Sequence, residues 1–212
     1  MGTYKEGFEK YIRKTRNGLI PKEVLSFLDS LERLNSLFFI LRDDFRTAQN
    51  MLKEQPHNQY LQRTFVRTAF ATFEGLLNIL LQTILKAHEN DFIDLTEDEE
   101  KKFKQRGMAR KVKFSVELYA QKMGGISYFL DTASDEWEKF TDAISIRNRL
   151  IHPNDLNAIK LNEKQLVTVL EATNWFIDLY QDLSNQVAEV SSPYRSLEKS
   201  IRELIRELQS DK

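Results

Sequence analysis

The sequence predicts an all-α protein, an up-and-down bundle of about five main helices followed by a C-terminal helix. Three observations predict it. Apolar residues advance by three and four through successive long stretches, the period of a helix buried along one face. Helix-start signals precede several of these stretches: Thr96 with Glu99, Ser134 with Asp135 and Glu136, and Asn162 with Gln165. Breakers stand between them, namely Pro56, Gly107, Gly124-Gly125 and Pro153.

Residues 1–21 mix charge with scattered aromatics and carry the turn signals Asn17-Gly18 and Pro21, which reads as a tail or docking arm. From Lys22 the pattern changes. Val24, Phe27, Leu28, Leu31, Leu34, Phe38, Leu41, Phe45, Ala48 and Leu52 mark one face of a long helix that Pro56 ends. A second helix starts near Asn58 and is apolar almost all round from Phe65 onward, the mark of a central element covered on several sides. Its run 65–85 approaches membrane-spanning length, but Arg67, Glu74, Asn78 and Gln82 interrupt it. A buried core helix is therefore expected, and no membrane partner.

Thr96 and Glu99 form a capping box for the next helix. The stretch 101–113 then holds seven basic residues and no acidic one: Lys101, Lys102, Lys104, Arg106, Arg110, Lys111 and Lys113. As a cationic patch it can track RNA or simply serve as a solvated face. Gly107 divides the helix, and the second half carries Val112, Val116, Tyr119 and Met123 as a buried stripe that Gly124-Gly125 stops. A linker with Tyr128 and Phe129 leads to Ser134, the cap of a further helix. A loop over 154–161 follows Pro153, and Asn162 with Gln165 opens a long packed helix through Leu166, Leu170, Thr173, Phe176, Ile177, Tyr180, Leu183 and Val187. Ser192-Pro193 restarts the chain as a last helix, in which Leu197, Ile201, Leu204 and Leu208 form a short seam expected to pack on its own domain. The division expected is a tail over 1–21, a bundle over 22–190 and a C-terminal helix over 191–212.

With 212 residues the chain is long enough for one well-filled core and short for two. Hydrophobic residues at 41% and charged residues at 30% suit a soluble globular protein. A formal charge of -1 supplies no global attraction to nucleic acid, so any RNA binding rests on a local patch. The absence of cysteine removes thiol catalysis and cysteine-ligated metals. It is also compatible with a reducing cytoplasm, the expected location, and the charged N-terminus lacks the apolar core of a signal peptide. No phosphate loop, Gly-rich dinucleotide turn, HExxH or nucleophile elbow is present, so neither a cofactor nor a metal is expected.

The most informative stretch is 147–153, RNRLIHP, at the end of the helix that begins near Ser134. Trp137, Phe140, Ile144 and Ile151 mark an inward face, and Arg147 falls in the same series. A guanidinium cannot be neutralised by proton loss, so on such a face it needs an anion or a wet cleft. His152 lies about 7.5 Å further along the axis and about 140° round it on an ideal helix. Pro153 disfavours helical angles in the residue before it, which places His152 at a fraying end able to turn toward a cleft. A role as a C-terminal residue satisfying a backbone carbonyl is the structural alternative. Glu74, among apolar neighbours on the second helix, is a second anomaly. A hydrogen bond from Arg147 to Glu74 would resolve both; pairing of Glu74 with Arg67 or Arg63 is the competing expectation.

Arg147, the polar Asn148, three further residues and His152 at a helix end together resemble the signature of the HEPN superfamily, small all-α domains. The resemblance extends to the Glu74 pattern on the second helix. Many members are metal-independent endoribonucleases of toxin, phage-defence and RNA-processing systems, and others are non-catalytic. What the resemblance implies is a homodimer whose motif helices face each other, with paired Arg147 and His152 cleaving RNA by 2′-hydroxyl attack. Asn148 would orient the imidazole or the phosphate, and Arg149 would add a phosphate contact or remain solvated. Some members are toxins with an antitoxin partner, and in some of these a Tyr two residues after the His receives a nucleotide. That position is Asn154 here, which departs from the pattern. Two other readings stand beside the nuclease: a non-catalytic module binding a nucleotide or partner protein, and a dimerisation domain held by the last helix.

Overall fold

A computed structural model describes residues 22–104 and 107–190, and the expected N-terminal arm and last helix lie outside these. Among the described residues the protein is an all-α bundle. Its helices are α1 (Lys22–Glu54), α2 (Gln59–Glu89), α3 (Glu97–Phe103), α4 (Met108–Tyr119), α5 (Asp135–Ile151) and α6 (Glu163–Val190). A π-helical turn, Ala120–Gly124, extends α4.

The local signals act where the sequence places them. The Asn58 side chain accepts from the Tyr60 and Leu61 N–H groups at the start of α2. Thr96 and Glu99 close a reciprocal capping box on α3, and Asn162 and Gln165 exchange backbone-to-side-chain bonds of 3.2 and 2.9 Å ahead of α6. Gly107, at φ 96°, separates α3 from α4, and Gly125, at φ 64°, takes the left-handed conformation that ends the π turn.

α1 and α2 form an antiparallel hairpin. Phe45 meets Phe65 at 5.6 Å, while further from the turn Thr72 donates to the Leu41 carbonyl at 3.3 Å. Gly75 permits this approach, because a Cβ there would run into the Leu41 side chain. α2 is the central element and touches α1, α4, α5 and α6. It is the one described helix long and apolar enough to cross a membrane, and 56% of that window is buried inside the protein. Its Phe73 packs on Phe140 of α5 at 5.2 Å and on Phe176 of α6 at 5.4 Å. All three rings are buried, and Trp137 and Trp175 flank them. Gln59 exchanges two 3.2 Å hydrogen bonds with the Leu161 backbone, tying the end of the loop after α5 to the start of α2.

One expected face is rotated. The buried residues of α5 are Phe140, Ala143, Ile146 and Leu150. Trp137 and Ile144 are only partly buried, and Ile151 is 46% exposed. Both series advance by three or four, so spacing alone leaves the two stripes nearly equivalent. Packing against α2 and α6 selects the second, and Arg147 consequently sits on the shoulder of the helix.

Candidate functional site

Arg147 extends from that shoulder across α2. Its Nη2 donates to Glu74 Oε1 at 2.8 Å, and its guanidinium lies 5.8 Å from the centroid of the buried Phe70 ring. Phe70 and Glu74 are four residues apart and share one face of α2, so ring and carboxylate together receive the side chain. Nη1 donates to Asn148 Oδ1 at 3.3 Å. A guanidinium has five N–H donors, so these two bonds leave donors for an anion.

The Arg147 side chain is 32% exposed and Glu74 is 55% exposed. This corrects the expectation that both charges lie on buried faces. The polar positions Arg67, Glu74 and Asn78 form the outer edge of an otherwise covered helix. The bond to Glu74 is therefore a partly exposed bridge between α5 and α2. As an exposed pair it contributes about 1 kcal/mol or less to stability, and its main effect is on where the guanidinium points.

His152 is exposed and forms the C-cap of α5, with φ −119° and its N–H bonded to the Asn148 carbonyl at 3.0 Å. Ser134 fixes the opposite end of the helix by accepting from the Trp137 N–H at 3.2 Å. Asn148 turns its amide toward Arg147. Arg149 is half-buried, and its Nη2 is enclosed without a hydrogen-bond partner among the described residues.

The described members of the basic stretch differ in their partners. Lys101 lies 3.5 Å from Glu97 and 3.8 Å from Asp98, and Lys113 lies 3.9 Å from Glu117. Lys102 sits over the Phe114 ring at 5.7 Å. Lys104 and Arg110 are exposed, and Lys111 is half-buried in a cleft that also contains Glu74. Arg106 lies outside the described residues. Among the described members of the run, Lys111 lines a cavity together with Glu74 of the Arg147 site.

Two features escaped the sequence reading. Phe70 had a usable signal, its position one turn before Glu74. Lys122 had none: it is buried in the π turn, 3.0 Å from Glu99 and 2.7 Å from the Asp94 carbonyl. Burial pushes the Glu99 carboxyl up, but the Thr96 N–H and the Lys122 ammonium outweigh it and hold Glu99 below its ordinary value. Among the described residues, no three His, Asp or Glu side chains converge to hold a metal ion.

Compared with protein-family models, with curated proteins and with solved structures, the chain matches none of them.

Proposed function

We propose that this chain is a HEPN-like, metal-independent endoribonuclease of a toxin or phage-defence type, working as a homodimer with a composite cleft. The observation that carries the reading is Arg147, solvent-accessible and anchored by Glu74 and Phe70, on the same helix whose tip exposes His152. In the reaction one imidazole takes the proton of a ribose 2′-hydroxyl while that oxygen attacks the adjacent phosphorus. The 5′-oxygen departs with a proton from the partner protomer's imidazolium, leaving a 2′,3′-cyclic phosphate and a 5′-hydroxyl. The free N–H groups of Arg147 bind the phosphoryl oxygens as charge builds on them, and Asn148 supports the guanidinium.

The experiment is incubation of the purified chain with total RNA in EDTA, beside Arg147→Ala and His152→Ala. Cleavage by the unaltered chain that both substitutions abolish supports the proposal. Absence of cleavage at every pH, or a strict monomer on a sizing column, overturns it.

A non-catalytic module that binds a nucleotide or partner protein is the second reading. The Glu74 contact favours it, because a guanidinium already paired with a carboxylate also makes a stable docking surface.

A further inference from the structure

The ridge that receives Arg147 continues along α2. Phe70, Glu74 and Asn78 succeed one another at four-residue steps, each about 6 Å along the axis. Beyond Glu74 the ridge opens into a cavity of about 310 Å³ between α2 and the first turn of α4. Leu77, Leu81 and Met108 supply apolar walls, while Asn78, Lys111 and Glu74 supply polar groups. Gly107 also lines it, and no atom lies within 4 Å of where a Cβ on Gly107 would stand.

We infer that this cavity is a nucleobase subsite for the residue next to the scissile phosphate, with Lys111 holding that nucleotide's own phosphate. The inference rests on the ribonuclease reading. Its volume is at the small end of ligand pockets, the scale of one base with its sugar. RNA is read mainly through unstacked bases stacked on aromatic or guanidinium planes and hydrogen-bonded along their edges, and an extruded base can also be held between apolar side chains. Leu77, Leu81 and the polarizable thioether of Met108 offer such a surface, and the Asn78 amide both donates and accepts. Glu74 belongs both to this cavity and to the Arg147 bridge, so a base seated here keeps the neighbouring scissile phosphate beside the guanidinium. The larger groove between α5 and α6 presents five carboxylates, Asp135, Glu138, Asp142, Glu163 and Glu171, against Lys139 and Lys164. That balance disfavours a polyanion.

The test uses the full chain and fluorescent 2′-O-methyl tetranucleotides, which lack the attacking hydroxyl, with binding read by anisotropy in EDTA. The unaltered chain is expected to bind saturably and to prefer some bases over others. Met108→Glu and Lys111→Ala should each weaken binding about tenfold. Asn78→Leu should erase base preference while leaving an abasic probe unaffected. Circular dichroism verifies that each variant is folded. No saturable binding, or variants that bind every probe as the unaltered chain does, overturns the inference. Its failure is distinct from that of the nuclease reading. Cleavage that needs Arg147 and His152 but ignores these three substitutions removes only the subsite, whereas probe binding without RNA cleavage removes only the enzyme.

Discussion

Arg147 on α5 and Glu74 on α2, separated by 73 positions in the chain, meet at 2.8 Å and link the two helices. Their partial exposure makes the contact a positioning device more than a source of stability. Glu74→Gln should therefore change the unfolding free energy by about 1 kcal/mol or less. Under the proposed ribonuclease reading, cleavage should fall about tenfold or more as the guanidinium loses its orientation, with the loss in kcat and little change in KM. Urea unfolding and steady-state kinetics measure the two, and normal kcat would show that the anchor does not matter.

Arg147→Lys retains the positive charge and discards the planar fork. If Arg147 binds two phosphoryl oxygens as negative charge accumulates, a point charge is a poor substitute. Cleavage should drop about 100-fold or more while the helical circular dichroism stays unchanged. A variant as active as the parent would reduce Arg147 to a general cation.

Phe140 is buried where α2, α5 and α6 converge and contacts Phe73, Trp137, Trp175 and Phe176. Phe140→Ala should destabilise the protein by about 3–5 kcal/mol, because few neighbours can collapse into the space. Chemical denaturation provides the measurement, and a cost below about 1 kcal/mol would contradict the packing described.

The Lys122 and Glu99 pair predicts an acid sensitivity. Glu99 is held below its ordinary value, so its contribution is fully present above the unfolded carboxylate range, about pH 4.3, and is lost as pH falls through the folded value. Stability should decline at acid pH in the unaltered chain and decline less in Glu99→Gln. Lys122→Met should cost about 3 kcal/mol at neutral pH, the lower end for a broken buried ion pair, since Glu99 keeps its Thr96 N–H. Unfolding curves at several pH values follow both effects; identical acid profiles for the parent and Glu99→Gln would refute the linkage.

Among the described residues the helices, most of their bounds, the three caps and the divisions at Pro56, Gly107 and Gly125 were legible in the order of residues. Each depends on groups within a turn or two of one another, and such groups meet whatever the rest of the chain does. The candidate site was legible only in part: Arg147, His152, Glu74 and Asn78 stood out as polar residues in apolar stretches, but Phe70 and Met108 looked like ordinary helix residues. Lys122 likewise lay hidden among surface-like lysines.

What the sequence by itself determined, then, is where helices begin, end and carry apolar stripes. Only the tertiary structure decided which of two nearly equivalent stripes of α5 turns inward, that Arg147 and not Arg67 or Arg63 pairs with Glu74, and that Lys111 of the basic run lines a cavity with Glu74. The physical reason is that a helix's rotation about its own axis is fixed by the side chains of other helices, which lie far away in sequence.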